Sequence, residues 1–537
     1  MKIPNQIIIF LLMTIGIFFI SQGKLNSQPC GQNGIGLASQ EDIDNFQLNY
    51  PNCTEILGSL TINGDDITNL NGLNVLNTIG EYLYINNCPS LISVNGLSGL
   101  TSVGGYINIW FNESLPGLSG LQQITFMGGY LVIAGNNSLT SLDGLNNITA
   151  VNGYLSILQN NNLINFAGLE NVASIDGYVE IVNNNSLESL MGLENISTVN
   201  GFLEIEENEA LTSLSGLDNV TSISEYLSIL SNNTLSSLTG LNSLTSVGGN
   251  LIIGNTLTGG NNSLVDITGL ENLQLIGGDL GISENQSLTN LDGLNNVNSV
   301  GGHFRIQNNE SLSDITSLNN LTTIGKGLWI NNDDALSSLS GLDHVTTIGQ
   351  GLGISSNSNL SDLEALESLV SIGGLLRIIG NNQLTSLTGL DNIEANTISE
   401  LTISSNNMLY TCEVKSVCDY LDNPTGTIDI NNNATGCNNQ TEVEDKCLID
   451  IEEISDEKGI EIYPSPAINK INCRLSDINF QCEIWIYDML GGIADFIEVP
   501  KVQQEIQIDV SDYPPGIYFV VVKSEKEILG KEKFIKQ

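Results

Sequence analysis

The chain has 537 residues, with 60 Asp plus Glu against 16 Lys plus Arg, giving a formal charge of −44 although only 14% of residues are charged. No Lys or Arg stands between Lys24 and Arg305, and so long a surface without a cation repels phosphate backbones, which excludes nucleic acid as a partner. Asn, Ser, Thr and Gly supply most of the polar surface instead.

Lys2 precedes an apolar run of 14 residues, Ile7 to Ile20. That is short for a relaxed membrane span and fits the core of a secretory signal peptide. Ser21-Gln22-Gly23 offers small residues for cleavage and a later cut near Gln28 fits as well, so residues 1–28 are read as the signal segment. Cys30 raises a lipid anchor, but Asn26-Ser27-Gln28-Pro29 does not read as a lipoprotein box. With no other long apolar run, no transmembrane segment is expected in the mature chain.

A cap at 29–52 leads into a 24-residue unit repeated fourteen times over 53–411. One column is isoleucine in every copy: Ile85, Ile109, Ile133, Ile157, Ile181, Ile205, Ile229, Ile253, Ile282, Ile306, Ile330, Ile354, Ile378 and Ile403. A fixed period of this size predicts a solenoid, each copy burying its apolar side on its neighbours. Each copy opens with an alternating stretch such as Gly153-Tyr154-Leu155-Ser156-Ile157. Alternation predicts a strand with Leu155 and Ile157 inward and Tyr154, Ser156 and Leu158 outward. Successive strands then lie parallel in one continuous sheet.

Three residues after the isoleucine comes Asn112, Asn136, Asn160, Asn184, Asn208, Asn232, Asn285, Asn309, Asn357, Asn381 or Asn406. An inward amide there can satisfy turn peptides that have left the strand ladder. Cys88 holds this position in the first repeat and is read as a small buried substitute. A glycine column (Gly72, Gly96, Gly120, Gly144 and onward) marks a corner needing positive φ or close backbone approach. The register breaks once, by five residues near Gly254 to Asn262, and Asn255–Gly260 is expected to bulge as a loop.

The outward columns are the candidate binding residues. One is aromatic for seven rungs: Tyr82, Tyr106, Tyr130, Tyr154, Tyr178, Phe202 and Tyr226. Such a ladder either stabilises the sheet or offers a platform for sugar rings or an extended ligand. Trp110 and Trp329 also point outward. Glu180 and Glu204 stand in adjacent rungs with Glu206 beside them; like charges one strand apart should share a proton or a cation. No cofactor is expected, with calcium left open on these carboxylates.

Four cysteines follow the repeats, Cys412, Cys418, Cys437 and Cys447, in a cap at 412–447. With Cys30 and Cys53 they read as disulfides stapling the two ends in an oxidising compartment. The cluster of four allows three pairings, and a zinc site is the alternative. The rungs resemble the receptor L domain, the leucine-rich β-helix of insulin- and EGF-type receptor ectodomains. Asn52-Cys53-Thr54-Glu55-Ile56-Leu57-Gly58-Ser59-Leu60-Thr61-Ile62 is similar to that family's start, and Cys412 to Cys447 to its terminal cap. The resemblance implies an all-β, right-handed parallel β-solenoid and a recognition role; the chain has many more rungs than receptor L domains.

An acidic linker at 448–458 precedes a last segment, 459–537. It carries Tyr463-Pro464-Ser465-Pro466, a strand ending Asp488-Met489-Leu490-Gly491, then Gly516-Ile517-Tyr518, and Lys533 and Lys536 at the end. This is similar to the C-terminal sorting domain of the type IX secretion system, with Ser465 in place of the usual Asn. Alternating strands predict a small β-sandwich. The resemblance implies the type IX machinery as a partner and a product secreted, or held at the outer-membrane surface, of a Gram-negative bacterium.

Neither His303 nor His344 has a Ser or Cys constellation, and no Walker, HExxH or EF-hand motif appears. The expectation is a non-enzymatic recognition or adhesion protein that binds an extracellular glycan or protein along its solenoid face. A carbohydrate-active enzyme on a β-solenoid and a purely structural spacer are the alternatives.

Overall fold

The computed structural model describes residues 28–448, 460–475, 481–489, 491–499, 505–524 and 528–537. The signal segment up to Ser27 and the acidic linker from Ile449 on lie outside the described residues. The chain is mostly β: a parallel β-solenoid whose long sheet has 17 strands, then an antiparallel sandwich. Contacts divide it into two units. The N-terminal unit runs to Gly249 and takes in Gly260–Ser263 and Thr268–Asn272; the rest forms the C-terminal unit.

The N-terminal unit holds nine of the long-sheet strands, from Ile35–Leu37 to Leu227–Leu230. Each pairs in parallel with the next rung, residue on equivalent residue: Leu155 faces Val179 and Ile157 faces Ile181. The C-terminal unit holds eight more, from Leu251–Ile253 to Ile428–Asn431. All fourteen isoleucines of the column are fully buried. On another side of the coil, two-residue strands such as Ser174–Ile175 and Thr198–Val199 form a second parallel sheet. The third corner is the Leu-x-Gly-Leu turn. At Gly144 φ is +116°, and a Cβ there would lie 2.0 Å from the Leu118 carbonyl oxygen. The corner is a 3-10 turn where this glycine is Ser317 or Ala365, and also at Gly72, Gly96 and Gly120.

Disulfides join Cys30 to Cys53, Cys412 to Cys437 and Cys418 to Cys447. Each closes a short loop at an end of the repeats, where a terminal rung has lost a neighbour, and contributes about 2–4 kcal/mol. Helix Lys415–Asp422 seals the second end with Val417, Tyr420 and Leu421 buried. The register break forms a small hairpin: Asn255 and Gly259 bridge, and the Leu257 tip is exposed.

Residues 460–537 form the sandwich. A three-stranded sheet (Ile460–Tyr463, Lys470–Leu475, Glu505–Asp509) covers a four-stranded one (Cys482–Asp488, Ile493–Val499, Gly516–Lys523, Ile528–Lys536). Ile471, Ile484, Ile486, Ile508, Val520 and Phe534 build the core between them. Cys473 and Cys482 are unpaired and buried in this core, and burial pushes the Cys473 thiol up to about 12.

The asparagine column is the inner seam of the solenoid, and every member named above is fully buried. Asn160 shows the pattern. Its Nδ2 donates to the carbonyls of Ile133 (2.8 Å) and Leu158 (3.0 Å), and its backbone N–H donates to Asn184 Oδ1 (3.0 Å). Each amide thus ties its own turn to both neighbouring rungs. Asn261 restores the seam after the hairpin, accepting from Asn232 N–H at 3.0 Å. Asn433 continues it into the terminal cap. Cys88 sits in the first copy, fully buried, with its N–H on Asn112 Oδ1; burial pushes its thiol up to about 11.

Outside the hairpin rung, the residue before the seam position turns left-handed: Asn87, Phe111, Gly135, Gln159, Asn183, Glu207 and Ser231 all have φ between 50° and 66°. That single left-handed step turns the next side chain from solvent to core. Its sequence signal is faint, because the column mixes polar residues with two glycines and one phenylalanine.

Asp333 is the one acid in the seam. Its Oδ1 accepts from Asn309 N–H (2.9 Å) and Nδ2 (3.1 Å), as an asparagine would. Its Oδ2, where other rungs have a donating NH2, is buried and unpartnered. An acceptor there is relieved only by protonation. Burial drives its pKa from 3.8 to about 7, with Asp334 adding repulsion. A raised carboxyl pKa gives stability that is full below the usual carboxylate range and is lost as pH rises through about 7. Asp333→Asn is therefore expected to stabilise the fold at pH 8.5 by on the order of a few kcal/mol, read as a higher melting temperature, with little change at pH 3.5. Equal effects at both pH values would contradict a protonated Asp333.

Candidate functional site

The outward face of the long sheet in the N-terminal unit carries most of the candidates. Parallel pairing stacks equivalent side chains at the strand spacing of about 4.8 Å, close to the contact distance of flat rings. Tyr82, Tyr106, Tyr130, Tyr154, Tyr178, Phe202 and Tyr226 form one uninterrupted stack, with ring centroids 4.3–4.6 Å apart and interplanar angles of 2–9°. Each inner ring has a ring on both faces. The rings therefore cannot offer their faces to sugars, as a platform would; they present edges and hydroxyls. Burial raises the phenol pKa of Tyr106, Tyr130 and Tyr226, and that of Tyr178 to about 12.

Glu180 and Glu204 are register partners, and Glu206 pairs with Val182. Each carboxylate has a hydroxyl partner on a neighbouring rung. Glu180 Oε2 accepts from Ser156 Oγ at 2.7 Å, on the rung before. Glu204 Oε2 accepts from Tyr226 Oη at 3.1 Å, on the rung after. Each carboxylate leans away from the other toward its own hydroxyl. Among the described residues, no group of three or more His, Cys, Asp or Glu is placed to hold a metal ion.

Trp110 stands at the other end of its strand from the stack. It is 38% exposed and stacks on Phe111, itself 43% exposed, at 5.4 Å. Strand Leu83–Asn86 lies alongside, with Tyr84 opposite Asn108 and Asn86 opposite Trp110. Tyr84, Asn86, Asn87, Trp110 and Phe111 line a cavity of about 210 Å³. Sequence reasoning found Trp110 and missed the others. Phe111 alone carried a signal, as an aromatic residue in a polar and glycine column; the column of Tyr84 changes from rung to rung, through Val132, Glu180, Ile252 and Trp329.

Trp329 belongs to the C-terminal unit. Its ring lies over Gly353, where a Cβ would meet it at 2.3 Å, and its Nε1–H donates to His303 Nδ1 (3.3 Å). Gly327 N–H donates to the same nitrogen at 3.0 Å, so Nδ1 carries no proton. Burial, then Arg305, holds the His303 pKa down. Arg305 pairs with Asp279 (2.8 Å) and Arg377 with Glu400 (3.0 Å). A polar groove of about 570 Å³ runs past Asp334, Ser358, Asn382 and Asn407 in this unit.

The stack makes a measurable prediction. Tyr154→Ala removes two ring contacts, at a cost of about 1–3 kcal/mol, and uncovers one face each of Tyr130 and Tyr178. Ultraviolet titration should show a group of tyrosines ionising above the ordinary range in the parent, and fewer in the variant. An unchanged melting temperature and titration would mean that the rings do not support one another.

In the sandwich, Tyr463 Oη donates to Glu505 and the Arg474 guanidinium lies 5.2 Å from its ring. Pro464 and Pro466 follow it in the turn after the first strand. Asp488 and Gly491 (φ 80°) form a hairpin in which Asp488 Oδ1 accepts from Gly492 N–H at 2.8 Å. Gly516 opens the strand that buries Tyr518, whose Oη donates to the Pro514 carbonyl at 2.9 Å. Lys533 is exposed on the last strand, while Lys536 is mostly buried with its ammonium on the Gln537 carbonyl. No described helix is long and apolar enough to cross a membrane. No curated protein matches the chain. Residues 461–537 match the family of secretion system C-terminal sorting domains, so the segment is a type IX sorting tail, which implies engagement of that secretion machinery and release from the cell or attachment to its surface.

Proposed function

We propose that this is a non-enzymatic recognition or adhesion protein, delivered by type IX secretion to act outside the cell, where its solenoid face binds an extracellular glycan or protein. The sorting tail at 461–537 is the observation that carries the reading, because it couples the solenoid to export. The outward face fits the same role. The rungs' resemblance to receptor L domains, whose work is extracellular recognition, supports it. So does a face in the N-terminal unit made of stacked rings and an exposed Trp110 with no Lys or Arg. The carboxylates Glu180 and Glu204 are occupied by hydroxyls of the face itself, which favours a surface role for them over acid–base work.

Two measurements test this. Deleting 461–537 should leave the solenoid inside the outer membrane, while the full chain appears in the medium or on the surface; equal surface levels would contradict the export route. The full chain, screened against extracellular glycans and matrix proteins with and without calcium, should bind at least one and release no reducing ends from any glycan. Binding to none, from folded protein, would favour a spacer.

A further inference from the structure

Four side chains alternate on the outward face of two neighbouring strands in the N-terminal unit: Tyr84 and Asn86 on one, Asn108 and Trp110 on the next. The aromatics occupy one diagonal of this checkerboard and the amides the other, about 8 Å across from strand and residue spacing. Both amides are 9% exposed, and the carbonyl oxygen of each is buried without a hydrogen-bond partner. Among the described residues few buried polar atoms share that condition, and only these two stand diagonally on adjacent strands. Leaving a buried acceptor unmade costs about 1–3 kcal/mol. Two placed together, beside a cavity of about 210 Å³, make a patch that hydrogen-bond donors from outside would relieve.

The wall of that cavity carries a second local cost. Phe111 has φ 54° in a column otherwise filled by Asn, Gln, Glu, Ser or Gly. A bulky side chain is the least suited to left-handed backbone. Strain of this kind persists where the surroundings over-determine it, and it gathers at ligand sites. Here it holds the Phe111 ring against Trp110 and turns the indole toward Tyr84 and Asn86. Trp110 lies outside the Tyr82–Tyr226 stack, with Phe111 as its ring contact, so a shift of its indole from the amides leaves the stack intact.

We propose that Tyr84, Asn86, Asn108 and Trp110 form a subsite for a neutral saccharide, which rests on the recognition role proposed above and names its ligand class. A pyranose presents an apolar C–H face to the Trp110 ring and donates hydroxyl protons to the two amide oxygens. Anionic sugars are disfavoured, because Asp65 and Asp66 lie close enough to act on the neighbouring Cys88 and no Lys or Arg occurs between Lys24 and Arg305 to offset them. Extended peptide also donates N–H groups, but its donors alternate sides along a strand, whereas pyranose hydroxyls ring one flat apolar face.

The test uses the full chain and immobilised polysaccharides: neutral mannan and β-glucan, anionic alginate and heparin, and a mucin before and after deglycosylation. The parent should be retained by a neutral polysaccharide, and Trp110→Ala should weaken retention at least tenfold. Asn86→Leu with Asn108→Leu should abolish retention while leaving the melting temperature equal or higher, since the change removes two unmade acceptors at similar volume. A fall in melting temperature would assign the amides to the fold and overturn the subsite, as would retention by alginate or by the deglycosylated mucin alone. If the parent binds a ligand and these variants bind it equally, the subsite fails while the recognition role stands. If the parent binds none of these, the subsite fails, and the recognition role fails with it only if the matrix-protein screen is also empty.

Discussion

Every rung of this solenoid must bring its chain around a corner inside the core, and the peptides at that corner have left the strand ladder. A buried peptide group without a partner is costly, and the cost recurs with every turn. The seam asparagine meets it with one side chain that reaches the rung before, its own turn and the rung after, as Asn160 does through Ile133, Leu158 and Asn184. An inward-pointing amide at this point in turn requires the left-handed step before it. The flat stacking of the isoleucine column and the strict register of the long sheet both depend on that corner being closed identically each time.

The same translational repetition decides what the outer face can hold. A side chain placed outward meets its own kind one strand spacing away. For flat rings this is favourable, and seven of them stack. For carboxylates it is not, and Glu180 and Glu204 each take a hydroxyl partner, Ser156 in their own column and Tyr226 in the stacked one. Asp333 shows the penalty when the inner seam takes an acid: the fold accepts it only as a neutral group.

The periodic parts of this structure were legible in the sequence, because identical residues at a fixed spacing have one physical reading. The isoleucine column, the asparagine seam, the role of Cys88 and the sandwich strands of the tail all follow from alternation and period. The left-handed column was not legible, since a backbone conformation shared by Asn, Phe, Gln, Glu and Ser leaves no composition to read. The stack was visible as a column, but its consequence for function ran the other way: rings close enough to form a ladder have no faces left to give. The hydroxyl partners of the glutamates were not legible for a related reason. Counting them one strand apart treats them as a pair, whereas χ rotation lets each reach a different hydroxyl.

What sets the candidate subsite apart is that it arises where repetition fails. Phe111 is the one aromatic residue in the left-handed column, and it stands beside Tyr84, Asn108 and Trp110, whose columns change residue from rung to rung. A departure that improved packing would satisfy its neighbours; this group instead leaves two amide oxygens unmet and sets an aromatic residue in left-handed backbone. Natural sequences hold to local consistency except where function requires otherwise. In a chain whose stability is built from one rung copied many times, a cluster of inconsistent rungs is the place where selection has favoured something other than the fold.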